Sequence, residues 1–236
     1  MNSLTVVYGD QVLTVEVRRA DRATLDISVS PDGDVLVIAP LAAELEAIGA
    51  RVRTRARWIL EQQRYFAQFR PRTPARRWVP GETHRYLGRQ YRLRIGVGAT
   101  STQQVRRVGD FLLMDGIEYD DTVGIERVVR AWYRARTREV ITRRLPDCVA
   151  LFRAPVAPGE VTVRSMTSRW ASMSSAGRLT VNPDLVRAPT DAIDYVLVHE
   201  LAHRIAPDHG PRFAALLDDV MPDHRLRKNR LERAAS

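Results

Sequence analysis

The stretch Pro189-Thr190-Asp191-Ala192-Ile193-Asp194-Tyr195-Val196-Leu197-Val198-His199-Glu200-Leu201-Ala202-His203 reads as a helix carrying an H-E-x-x-H pattern. Pro189-Thr190-Asp191 opens it, with Thr190 or Asp191 as the cap and Ile193, Val196, Leu197 and Leu201 as its apolar side. Four residues along an α-helix turn the chain by about 400°, so the two imidazoles leave one face about one turn apart. That separation lets both reach one zinc ion at about 2.0–2.1 Å. Glu200 is rotated by about 100° from His199, which leans it beside the metal as a proton carrier.

A catalytic zinc has three protein ligands and one open position, so a third ligand is needed. His209 is the best candidate, because Pro207 stops the helix and Pro207-Asp208-His209-Gly210 is turn chemistry that folds the chain back. Three of the chain's five histidines thus fall within residues 199–209. His224 is the alternative third ligand, and otherwise a surface residue after the last helix. His84 reads as a strand residue. Asp208, Asp194 and Asp184 are all candidates to orient a ligating imidazole, and nothing in the sequence chooses among them.

Around this stretch the chain reads as α+β, with a strand-rich N-terminal part, a helical middle and a C-terminal catalytic part. Leu4–Tyr8 with Gln11–Arg18, and Thr24–Ser30 with Asp34–Ala39, form two hairpins. A helix runs from about Ala42 to Phe69 with Leu45, Ile48, Val52, Ile59 and Phe66 along one stripe, and Arg70-Pro71-Arg72-Thr73-Pro74 ends it. A hairpin over His84–Gly96 turns near Gly88, and a strand pair lies between Val105 and Met114. A second helix spans about Thr122 to Leu145, with Val128, Val129, Trp132 and Ile141 on its apolar side. Strands follow at Val161–Arg164 and Arg178–Val181, and a short helix from Pro211 to about Val220. The expected division is a strand-rich part with its Arg-rich helix over 1–120 and a catalytic part over 121–236, the two forming one unit or two.

Composition bounds the function. An apolar fraction of 44% beside 28% charged residues suits a globular domain and leaves no run long enough to span a bilayer. The N-terminus meets Asp10 and Glu16 too early for a signal peptide, and a single cysteine, Cys148, rules out an internal disulfide. Both point to the cytoplasm, and Cys148 reads as a structural thiol. The formal charge is +9, with fifteen arginines against Glu61 and Glu82 in residues 51–107. That segment is the candidate nucleic-acid footprint, against the plainer reading of a solvated helix and hairpin.

Further residues carry a resemblance. Val163-Arg164-Ser165-Met166-Thr167-Ser168-Arg169-Trp170-Ala171-Ser172-Met173 resembles the R-x-M-x-x-R-W-G-S-C segment of YgjP-like metallopeptidase domains. Leu179, Asn182, Leu185, the H-E-x-x-H helix, His209, Phe213 and Met221-Pro222-Asp223 continue it. Upstream, Trp58-Ile59, Gly81-Glu82 and Tyr86-Leu87-Gly88 also fit. The resemblance implies a zincin-like catalytic part related to SprT-like and WLM zinc peptidases, with one Zn²⁺ on His199, His203 and His209 and Glu200 as base. Ala171 and Met173 replace that segment's Gly and Cys, which puts any role of the cysteine in doubt. The R-W segment precedes Arg178–Val181, expected as an edge strand for an extended peptide. Arg169 is then placed to stabilise an oxyanion or bind an anionic group, Trp170 reads as core, and Tyr195, one turn before His199, reaches toward the reacting centre. The leading substrate is a peptide or protein. The alternatives are a nucleotide phosphoanhydride, whose phosphates arginines would neutralise, and a DNA-associated protease or binding module. Against the first stands the lack of a glycine-rich phosphate loop.

Overall fold

The computed structural model describes residues 2–30, 32–67, 76–96, 102–166 and 169–235, and shows eleven strands and five α-helices among them. They form two compact units, residues 1–73 and 74–235.

The first unit holds β1 (Asn2–Tyr8), β2 (Gln11–Ala20), β3 (Asp26–Val29) and β4 (Val35–Pro40) in the order β1-β2-β4-β3. The two expected hairpins are present and are joined into one sheet, because β4 also pairs parallel with β2. Val15, Val17, Val35, Val37 and Ala39 alternate inward along β2 and β4. Helix α1 (Leu45–Ala67) completes the core with Ile48, Val52, Ala56 and Ile59, spaced three and four apart. Leu45 was expected in this stripe but is exposed. Residues 68 and 69 and the proline-containing stop at 70–74 lie outside the described residues.

In the second unit, β5 (Thr83–Tyr86), β6 (Arg89–Ile95), β7 (Gln104–Val108) and β8 (Phe111–Asp115) form a sheet in the order β5-β6-β8-β7. Tyr91, Leu93, Leu112 and Met114 from this sheet bury into the same cluster as residues from Ile125 onward. The β5–β6 turn is Leu87-Gly88, both at positive φ. A Cβ at Gly88 would sit 2.9 Å from Pro189, so this glycine lets the turn abut the start of the catalytic helix.

Helix α2 (Thr122–Ala150) is capped by Asp121, whose carboxylate accepts from Gly124 N at 2.8 Å. It runs past its expected end at Leu145, through Pro146, and buries Cys148. Burial pushes the Cys148 thiol up to about 12, in keeping with a structural role. A third sheet, in the order β10-β11-β9, holds β9 (Glu160–Val163), β10 (Ala171–Met173) and β11 (Arg178–Val181). Here the expectation is corrected. Arg178–Val181 is the central strand, because β9 pairs with it in parallel, and the edges are β10 and β9. A 3₁₀ turn (Pro183–Arg187) leads to α3 (Thr190–Ala202), α4 (Pro211–Val220) and α5 (His224–Ala235). Among the described residues no helix is long and apolar enough to cross a membrane.

Candidate active site

Helix α3 buries ten of its thirteen residues, as expected of a helix that is apolar nearly all round. Its N-cap is Pro189 rather than Thr190 or Asp191, with no side-chain cap bond. Asp191 is engaged instead by Arg230 of α5. The helix also ends earlier than Pro207, with His203 as its C-cap still in helical conformation. A tight turn follows, in which Arg204 N donates to Leu201 O and Ala206 N to Ala202 O. The turn brings Ala206 O to 3.2 Å from His203 Nδ1, a contact that orients this imidazole. Pro207–Gly210 then returns the chain, and Gly210 starts α4.

That return brings His199, His203 and His209 together, with one ligand atom from each within 4.8 Å of the others. His199 Nε2 and His209 Nε2 are 3.1 Å apart. Nitrogens sharing one zinc in tetrahedral geometry at 2.0–2.1 Å sit about 3.3–3.4 Å apart, so this spacing fits a common metal ion. Burial first, then the neighbouring His203 and His209, hold the His199 imidazole down to about 3. His209 is lowered by the same causes in the same order, burial and then His203, with Asp208 opposing. Neutral imidazole is the form that ligates. The buried Nδ1 of His199 has no hydrogen-bond partner among the described residues.

Phe213 of α4 forms the floor under this cluster. Its ring centroid lies 4.9, 4.7 and 4.8 Å from those of His199, His203 and His209. The sequence gives Phe213 no role beyond matching a family pattern, although its i,i+4 spacing with buried Leu217 marks the apolar side of α4.

Glu200 is 9% exposed and lines a cleft of about 750 Å³ together with the three histidines. Burial raises its carboxyl. His203, the backbone of Met173 on edge strand β10, and Arg169 oppose that rise. Arg169 and Tyr195 both line the cleft, as expected of them. Arg169 is exposed, and Trp170 is half-buried against the core. Tyr195 lies 5.8 Å from His199 between ring centroids, and burial, with Glu232 and Glu200 adding, pushes its hydroxyl up to about 12.

The other candidates lie elsewhere. His224 is not in the cluster. Its Nε2 is 2.9 Å from Asp218, and its ring stacks on Tyr195. Asp194 takes both bonds of a bidentate Arg144 contact at 2.8 and 2.7 Å, and Asp184 lies beside Arg187. Of the three aspartates, Asp208 alone acts on a ligand, as a nearby charge on His209. His84 is fully buried in β5. Three contributors have no role assigned from the sequence. Asn182 donates to Met166 O and Arg169 O and so pins the segment that carries Arg169. Arg204, and α5 through Lys228, Leu231 and Glu232, add to the cleft wall.

No curated protein matches the chain. Among solved structures, the chain is similar to the crystal structure of the metallopeptidase zymogen of Pyrococcus abyssi abylysin. Identity is 24%, the match covers 38% of this chain and 87% of that one, and the TM-score is 0.32. The model of the YgjP-like family, metallopeptidase domain, matches residues 23–234, and a match over that span places this chain in the YgjP-like metallopeptidase family.

Proposed function

We propose that the protein is a zinc-dependent peptidase in which His199, His203 and His209 hold one Zn²⁺ and Glu200 carries the protons. The observation that supports this most is the convergence of three imidazoles within 4.8 Å beside a buried carboxylate, on the wall of one open cleft. When bound, zinc supplies Lewis acidity and lowers the pKa of water toward about 7. Glu200 takes a proton from the attacking water and returns it to the leaving nitrogen, a role suited to a carboxyl raised by burial. Arg169 supplies positive charge for the developing oxyanion and binds substrate. Tyr195 stays a neutral hydroxyl at ordinary pH and contacts the substrate from the cleft wall. Edge strand β10 offers its backbone to an extended peptide.

Attachment to DNA would use residues 51–107, whereas nucleotide hydrolysis needs arginines near the metal. Among the described residues none of that stretch lines the cleft, and its arginines divide between the two units. No specific observation therefore favours the DNA reading.

Glu200→Gln tests the mechanism. The variant keeps its zinc and loses turnover of an unfolded protein such as denatured casein by about 10²-fold or more. Wild-type rates in the variant sink the mechanism.

A further inference from the structure

Two guanidinium groups on the cleft wall, those of Arg169 and Arg204, have no ion-pair partner among the described residues. Other arginines of the same unit without such a partner, Arg138 and Arg212 among them, do not line the cleft. The cleft lining has three cations, Arg169, Arg204 and Lys228, and only Glu200 and Glu232 as carboxylates. Glu200 is committed to the chemistry. The cleft therefore has positive charge that its own side chains do not balance.

Arg204 has a fixed backbone and an exposed side chain. It directly follows the ligand His203, and its backbone is fixed by the bond to Leu201 O at 3.0 Å. Its guanidinium lies over Gly177 in the turn between β10 and β11. A Cβ added there would be 3.1 Å from Arg204 Cζ, and Gly177 has φ +80. A side chain at position 177 would strain the backbone and push the guanidinium aside, so the glycine allows this close approach. Arg204 lines the cleft beside Ser174 and Ser175, just past Met173 at the end of the edge strand. A peptide extended along β10 runs toward this turn.

We propose that Arg204 is a specificity determinant that selects substrates with an acidic side chain near the scissile bond, on the side of the β10–β11 turn. The proposal rests on the peptidase reading of the same site. A carboxylate matches the planar guanidinium fork, and a bound peptide shields the pair from water. The expected preference for Glu over Gln at that subsite is about tenfold in kcat/KM, shrinking as salt is raised.

The test uses the zinc-loaded full chain and a positional-scanning peptide mixture, with cleavage sites read by mass spectrometry. Wild type should enrich Asp and Glu at one subsite. Arg204→Glu should turn that preference toward Lys and Arg, and Arg204→Met, which keeps the aliphatic stem, should flatten it. A second arm measures binding to zinc-loaded Glu200→Gln by fluorescence anisotropy. An acidic peptide should bind about tenfold tighter than its amide counterpart, and Arg204→Met in that background should remove the difference. Cleavage without acidic preference, or the same preference kept in both Arg204 variants, overturns the proposal. So does equal binding of the two peptides, or displacement by a nucleoside triphosphate where acidic and amide peptides compete alike. If no peptide is cut by wild type, the peptidase reading fails, while the binding arm still decides the role of Arg204.

Discussion

Phe213 and His84 show how single buried side chains set the properties of the second unit. Phe213 is 4% exposed and touches all three imidazoles of the cluster, so its ring limits how far each can turn. Phe213→Ala should lower zinc affinity by about 10- to 100-fold, measured by competition with a chromogenic chelator. Unchanged affinity would show that the helix backbone alone orients the ligands. His84 is fully buried, and neither ring nitrogen has a hydrogen-bond partner among the described residues. Burial, then Arg76 and Arg187, depress its imidazole from 6.5 to about 3. Glu82, at 3.6 Å from Nε2, does not offset them. Because the folded form binds its proton less readily than the unfolded form, the contribution is complete above about pH 6.5 and is lost as the pH falls toward 3. Urea midpoints at pH 7.5 and 5.0, taken on metal-free protein, should therefore drop more for wild type than for His84→Phe. Equal drops would contradict this account of His84.

Among the elements, α5 depends most on others for its place. Its sequence, His224-Arg225-Leu226-Arg227-Lys228-Asn229-Arg230-Leu231-Glu232-Arg233-Ala234-Ala235, buries only Leu231 and Ala234 among the side chains described. Asp194 of α3 receives Arg144 of α2 and lies 3.8 Å from Arg227 of α5, while Asp191 pairs with Arg230. Asp194→Ala should cost about 1–2 kcal/mol, since it removes the bidentate partner of a partly exposed Arg144 and leaves it only Asp147 at 3.3 Å. Amide hydrogen exchange should show α5 losing protection first. Protection lost uniformly across the unit would refute a local clamp. The same element explains where sequence reading stopped. Helix α3 was legible because its histidine spacing and apolar run both obey the helical period. Helix α5 was not, because twelve residues dominated by charge leave no apolar stripe to read. Strand β10 is three residues long, too short for an alternation, so the edge was assigned to its longer neighbour β11. The cap of α3 was misread for a related reason. Asp191 has the right chemistry for a cap, yet a distant arginine competes for it, and such long-range pairings leave no local trace.

For the whole molecule, the two units have separate cores, and the three-histidine cluster with its entire cleft lies in residues 74–235. A fragment of residues 74–236 should fold and bind zinc with the stoichiometry of the full chain. Failure to fold would show that the first unit is needed for the second. The family match nonetheless reaches into both units, from 23 to 234, and so takes in β3, β4 and α1 but not β1 and β2. The measurement that most directly tests the central claim is elemental analysis of wild type, His203→Ala and Glu200→Gln, purified without chelators. The account predicts about one zinc per chain in wild type and in Glu200→Gln, and loss of the metal in His203→Ala. Wild type that holds no divalent metal after reconstitution, or His203→Ala that keeps it, would contradict the three-histidine site.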